Sequence, residues 1–168
     1  RGQLRTVYST TEAIEQHACE ADLIIGAVLI PGASAPKLIA RELLGRLKPG
    51  TVMVDVAIDQ GGCFETSKAT THADPTFVVD DVVHYCVANM PGAVARTATM
   101  ALTNATLPFI QRLAADGPRQ LFLRDSHFGA GLNVYNGQLT HQAVADALQC
   151  PWISPAKALD ESLHLKTA

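Results

Sequence analysis

Two stretches near the start of the chain are apolar without alternation, Leu23–Ile30 and Thr51–Asp59. Unbroken runs rich in Val and Ile predict strands buried on both faces of a parallel sheet. Between them the apolar positions change to helical spacing, at Leu38, Ile39, Leu43, Leu44 and Leu47. Ser34-Ala-Pro36 supplies a cap followed by a first-turn proline, and Lys48-Pro-Gly50 supplies the stop. Upstream, Thr6–Ser9 is a short β-prone piece. Thr10 or Thr11 can then cap a helix that begins near Glu12 and turns Ile14, Ala18 and Ala21 inward. Strand, helix, strand, helix, strand within sixty residues predicts βαβ units with right-handed crossovers.

Beyond Gly62 the rhythm loosens. Cys63–Asp74 is polar and rich in Thr, and a loop of about a dozen residues at the carboxyl edge of a strand is often functional. Thr76–Val79 and Val82–Val87 read as two more strands split by Asp80-Asp81, with a turn at Ala88–Gly92. The longest helical pattern runs from Ala95 to about Ala115, and Pro108 inside it is expected to kink or split it. Gly117-Pro118 ends that helix, and a short helical piece follows at Leu121–Arg124. Leu132–Thr140 predicts a hairpin around Asn136-Gly137. A helix over His141–Leu148 and a last one over Ala156–Leu165 complete the chain. The α/β alternation stops near residue 93, so two domains are expected, residues 1–93 and 94–168.

Composition narrows the function classes. The 168 residues are 48% hydrophobic and 17% charged, enough for one good core or for one domain and part of another. A net charge of −3 without a basic run argues against nucleic-acid binding. No apolar segment reaches the length of a membrane span. Cys19, Cys63, Cys86 and Cys150 form no C-x-x-C pair, so reduced thiols in a cytoplasmic protein are the expected state. Cys63, His72, His84 and Cys86 could be drawn together as a metal site, but cysteine on a strand is usually a small buried hydrophobe, and no metal is expected. An opening at Arg1 on a strand-like piece reads as a start within a domain.

Candidate chemistry gathers at one place. In open α/β sheets ligands bind beyond the carboxyl ends of the strands. Ser9, Val28-Leu29, Val56–Asp59 and Asn89-Met90 all fall at predicted strand ends, the geometry of a dinucleotide crevice. Ser9 can bond an adenosine ribose, while Val28, Leu29 and Val56 can line the path of a cofactor. Asp59 can hold a nicotinamide ribose or take part in proton transfer, because an amine or hydroxyl must lose a proton as hydride leaves. The plainer reading of Asp59 and of Gly61-Gly62 is a capped turn, and of Asn89 a side-chain turn bond. No G-x-G-x-x-G is present, so a pyrophosphate loop is expected to lie before Arg1.

Several long stretches resemble alanine dehydrogenase. They are Ala21-Asp-Leu-Ile-Ile-Gly-Ala-Val-Leu-Ile-Pro-Gly-Ala-Ser-Ala-Pro-Lys37, Val54-Asp-Val-Ala-Ile-Asp-Gln-Gly-Gly-Cys-Phe-Glu65, His84-Tyr-Cys-Val-Ala-Asn-Met-Pro-Gly-Ala-Val94, Ala101-Leu-Thr-Asn-Ala-Thr-Leu-Pro108 and Gly131-Leu-Asn-Val-Tyr-Asn-Gly137. The resemblance spans nearly the whole chain. It implies the second half of a Rossmann-like, doubly wound parallel sheet, followed by a helical segment returning to the substrate domain. It also implies NAD as cofactor and interconversion of L-alanine with pyruvate and ammonia. By matching position, Ser9, Val28, Leu29, Val56 and Met90 are cofactor contacts, Asp59 is the active-site aspartate and a cofactor contact, and Asn89 lies near the substrate. The family's catalytic histidine, substrate-binding arginine and lysine, and Gly-rich loop match no part of this sequence, so this stretch alone is expected to be inactive. Ala95 and Ala98 depart from the family's usual Pro and Ser, away from the site. A homo-hexamer is implied as well.

Two other readings compete. The NAD-binding subunit of proton-translocating transhydrogenase shares the architecture and a form of the Leu-Ile-Pro-Gly motif, but the Asp59–Glu65 run favours the dehydrogenase. A non-catalytic binding or assembly module is the alternative if these residues are a whole polypeptide, since a half-sheet exposes an unpaired edge and an apolar face.

Overall fold

The computed structural model describes residues 2–31 and 34–164. Gly32, just past the apolar run Leu23–Ile30, and Leu165 at the end of the expected last helix lie outside them. The chain divides into two compact units, one built from residues up to Ile30 and from Ser34–Ala93, the other chiefly from Val94 onward.

The first unit is a four-stranded sheet. Helix α1 (Thr11–Glu20) opens it, and the Thr10 side chain accepts from the Ala13 N–H at 3.2 Å as the cap. Strands β1 (Leu23–Gly26), β2 (Val52–Asp55), β3 (Thr76–Val79) and β4 (Val82–Tyr85) stand in the order β1-β2-β4-β3. The first three in that order are parallel, and β3 pairs antiparallel with β4 at the edge. The β3–β4 turn is Asp80-Asp81, both left-handed with φ of 50° and 61°, as a two-residue hairpin turn of this hand requires.

One face of the sheet carries Met53 and His84 in register and is buried. Ala18 of α1 packs there with Ile39, Leu43, Leu44, Leu47 and Phe64 in one apolar cluster. On the opposite face Leu23, Ile25 and Val78 are exposed.

Several elements are shorter than the apolar pattern predicts. Thr6–Ser9 forms no strand, and a lone four-residue piece gains nothing from extension without a partner. Strand β1 stops at Gly26, opposite Asp55 where β2 stops, so Ala27–Ile30 has no ladder to join. Val56–Gln60 winds into a 3₁₀ turn instead of extending the strand to Asp59. Strand β4 ends at Tyr85, and Val87 instead forms a bridge with Thr70.

The largest difference lies at residues 34–47, where helical spacing predicts a helix. Ala35, Leu38 and Ile39 instead run beside Gln60–Glu65. Ala35 N–H donates to the Gln60 carbonyl at 3.0 Å, Leu38 N–H to Cys63 at 2.7 Å, and Glu65 N–H to Ile39 at 2.9 Å. Only Arg41–Arg46 winds, as a 3₁₀ helix. Its start is capped from afar by the Glu65 carboxylate, which accepts from the Arg41 N–H at 2.7 Å. Long-range backbone pairing here outweighs local spacing, which is a weak prior.

The second unit is helical. Helix α2 (Ala95–Asp116) continues through Pro108, so of the expected kink or split the split does not occur, although the proline cannot donate to the preceding turn. Helices α3 (Pro118–Arg124) and α4 (Ser126–Ala130) follow. Asp125 caps α4 by accepting from the His127 N–H at 3.0 Å, and Arg112 pairs with it at 2.9 Å. Arg112 holds the half-buried Asp125 carboxyl below the usual range. Strands β5 (Val134–Tyr135) and β6 (Gln138–Leu139) form the expected small hairpin, with left-handed Asn136 and Gly137 at its tip. Helices α5 (Gln142–Leu148) and α6 (Pro155–His164) close the chain.

Candidate functional site

The parallel strands β1 and β2 end side by side, and the chain leaving each forms one wall of a cleft. Ala27, Val28 and Leu29 come from the end of β1, and Val56, Ala57, Asp59 and Gln60 from the 3₁₀ turn after β2. The cleft encloses about 390 Å³. Its walls are apolar except for Asp59 and Gln60. Val56 and Leu29 are exposed, so greasy surface faces open space. Four residues singled out from the sequence, Val28, Leu29, Val56 and Asp59, therefore share one cavity. Ser9, Asn89 and Met90 are not among its lining residues. Ser9 is exposed in the irregular segment before α1. Asn89 is left-handed, with φ of 57°, just past β4, and its carbonyl accepts from His72 Nε2 at 3.0 Å. Met90 begins the next 3₁₀ turn.

Two carboxylates four residues apart meet opposite fates. Asp59 is exposed and, among the described residues, has neither hydrogen bond nor ion pair. Asp55 is wholly buried. It accepts from the Cys63 N–H at 2.9 Å, the Phe64 N–H at 3.4 Å and the Ser67 hydroxyl at 2.5 Å, and the Cys63 thiol lies 3.5 Å from it. These bonds tie the far end of the cleft-lining segment back to its start, so Val56–Gln60 is a closed loop. Sequence reading passed over Asp55. The signal was there: an acid inside an apolar strand run is buried only when donors are waiting for it.

The loop needs its glycines. At Gly62, with φ of 75°, an added Cβ would stand 2.7 Å from both Asp55 Oδ2 and Ser67 Cβ. At Gly26 a Cβ would collide with Cys63 Sγ and the Phe64 ring. Lys37 Nζ closes the loop from outside, donating to the carbonyls of Gly61 at 2.6 Å and Gly62 at 2.8 Å.

The two thiols and the histidine behind the cleft are kept neutral. Burial, with a smaller push from the Asp55 charge, raises the Cys63 thiol to about 11. Burial likewise raises Cys86, whose thiol faces Ser67 Oγ at 3.8 Å. His84 is buried and stacked on Phe77, its ring centroid 4.8 Å away. The Val82 carbonyl, 3.0 Å from Nδ1, can only accept, so Nδ1 carries the proton. Nε2 then accepts from the Thr66 hydroxyl at 2.7 Å, and burial lowers the pKa of the ring. These are packing groups. Among the described residues no cluster of three or more His, Cys, Asp or Glu is arranged to hold a metal.

The cleft suits a flat heterocycle on a polar backbone. Its walls can exclude water from one ring face, and Asp59 offers an acceptor at the rim. Gln60 Oε1 is buried and has no donor among the described residues. An acceptor left this way is costly unless a ligand supplies the donor. The residues therefore fit a dinucleotide.

Comparison with known proteins gives a consistent picture. Residues 1–142 match the family described as alanine dehydrogenase/PNT, C-terminal domain. The chain is 62% identical over 159 residues to an alanine dehydrogenase of Halomonas elongata, covering 95% of this chain and 43% of that protein. It is 50% identical over 158 residues to an alanine dehydrogenase of Mycolicibacterium smegmatis, covering 94% and 43%. Its structure resembles a solved L-alanine dehydrogenase with a TM-score of 0.71 at 48% identity, over 84% of this chain and 39% of that one. A transhydrogenase from Sinorhizobium meliloti is more distant, with a TM-score of 0.60 at 25% identity, over 80% and 36%. The chain thus spans less than half the length of the curated relatives it matches.

Proposed function

This chain belongs to the alanine dehydrogenase/PNT C-terminal domain family, and from that premise we propose that the native protein carrying it is an NAD-dependent oxidoreductase that interconverts L-alanine with pyruvate and ammonia. The observation that carries the proposal is the cleft. Val28, Leu29, Val56 and Asp59 line one cavity at the carboxyl ends of adjacent parallel strands, where open α/β sheets bind their ligands. NAD, when bound, supplies the hydride acceptor.

The chain's own residues do the rest. Val28, Leu29 and Val56 pack against the cofactor and keep water from one side of it. Asp59, without a side-chain partner among the described residues, holds a ribose hydroxyl or takes up the proton that the substrate amine must lose. Ser9 contacts the adenosine ribose, and Met90 and Asn89 border the nicotinamide and the substrate. The His72 contact fixes the left-handed Asn89 backbone that presents them. In this reading residues 1–93 are part of the NAD domain and 94–168 return to the substrate domain, with the catalytic histidine and the substrate-binding cations supplied by residues beyond this sequence.

The enzyme acts in the cytoplasm as a homo-oligomer, a hexamer by family resemblance, which the mass of the native particle in solution tests. None of the four cysteines is in a disulfide, in keeping with a reducing compartment. Among the described residues no helix is long and apolar enough to cross a membrane. The test of the activity is NADH formation from L-alanine and NAD at alkaline pH by the native protein. Steady formation is expected. Binding of NAD without oxidation of alanine would leave the cleft standing and overturn the substrate. The transhydrogenase reading would then be preferred.

A further inference from the structure

Gln60 is the cleft residue whose chemistry remains unused. It ends the 3₁₀ turn after β2, next to Asp59. Its backbone is fixed on both sides. The Gln60 carbonyl accepts from the Ala35 N–H at 3.0 Å, and Lys37 holds the carbonyls of the two glycines that follow. The side chain lines the cleft, and its Oε1 is buried without a donor among the described residues. His141 Nδ1 shares that condition, but it belongs to the second unit and is not among the residues lining this cleft.

We propose that the Gln60 side-chain amide turns into the cleft to bind the carboxamide of the nicotinamide ring, its Oε1 exchanging a buried position without a donor for one that accepts the carboxamide N–H. The inference rests on the dinucleotide reading above and adds a contact to it. A primary amide is the matching partner for another primary amide, because each carries an acceptor beside two donors. The surrounding walls, Ala27, Val28, Leu29, Val56 and Ala57, offer no side-chain hydrogen bond, so among the described residues that line the cleft Asp59 and Gln60 are the ones that can read the edge of the ring. Asp59 is acceptor-only when ionised and cannot tell a carboxamide from other donors. Gln60 can, since it both accepts and donates. Glutamine also pairs with the adenine edge through the same two atoms, so the cofactor's two ends must be separated by experiment.

The native protein is titrated with NADH, with ADP-ribose, which lacks the nicotinamide, and with reduced 3-acetylpyridine adenine dinucleotide, whose acetyl group has no N–H. Binding is followed by protein fluorescence and calorimetry, and activity is not needed. Gln60→Met keeps the length of the side chain and removes its hydrogen bonds, and Gln60→Leu serves if that variant does not fold. NADH is expected to bind about tenfold more weakly to the variant, the loss of one buried hydrogen bond. ADP-ribose is expected to be unaffected, and the acetylpyridine analogue to lose much less than NADH. Equal losses for NADH and ADP-ribose would place Gln60 at adenine or ribose and overturn the proposal, as would unchanged NADH binding. If the unsubstituted protein binds none of the three, the dinucleotide reading itself falls.

Discussion

Asp59→Ala in the native protein is expected to lower the turnover of L-alanine by about 10²–10⁴-fold, the range for a group that moves a proton in the reaction. Binding of NADH should fall far less. The structure gives the reason for the asymmetry. Asp59 is exposed on the cleft wall and bonds to nothing in the protein among the described residues, so its removal leaves no orphaned partner and opens no cavity in the core. The apolar walls that would hold the ring remain. A loss confined to kcat, with stability in urea unchanged, supports a chemical role. Wild-type turnover by the variant would reduce Asp59 to a turn residue. A large rise in the KM for NAD with kcat intact would make it a ribose contact only.

Asp55→Ala is expected to act in the opposite way, on stability first. The carboxylate is the acceptor for two buried backbone N–H groups, those of Cys63 and Phe64, and for the Ser67 hydroxyl. Each buried donor left without a partner costs about 1–3 kcal/mol. The variant should therefore lose roughly 2–4 kcal/mol, a large share of the stability of an ordinary domain. Urea unfolding of the native protein measures it. Asp55→Asn keeps one acceptor oxygen and should lose about half as much. A loss below about 1 kcal/mol in the alanine variant would mean that water satisfies the loop, and that Asp55 does not close it.

The contrast between these two aspartates marks how far the sequence could be read. That the runs ending at Ile30 and Asp59 lead to one sheet edge was legible, because an apolar run that stops abruptly is a local signal, and Val28, Leu29, Val56 and Asp59 lie on those runs. The Asn136-Gly137 and Asp80-Asp81 turns and the Thr10 cap were legible for the same reason. Strand ends were not. Gly26 and Asp55 are last in their strands because each is the other's partner, a fact of pairing that neither run contains. The expected helix before Leu47 failed because Ala35, Leu38 and Ile39 bond to residues about 25 positions away, and nothing in their spacing announces such partners. Ser9 was placed by a strand expected over Thr6–Ser9 and by family resemblance; no strand forms there, and the cleft does not include Ser9.

The order in which the sheet pairs has a consequence for how the chain acquires its fold. The β3–β4 hairpin closes across two residues, with Val79 against Val82. The parallel pairs instead join Leu23 to Val52 and Val52 to Val83, and closing such long loops costs more chain entropy before any contact rewards it. The hairpin should therefore gain protection first in pulsed hydrogen exchange during refolding, and the parallel strands β1 and β2 later. Early protection of β1 would contradict this sequence of events. Because the cleft lies between the ends of β1 and β2, a refolding chain would become able to hold a ligand there only after the hairpin and the other short-range contacts are already in place.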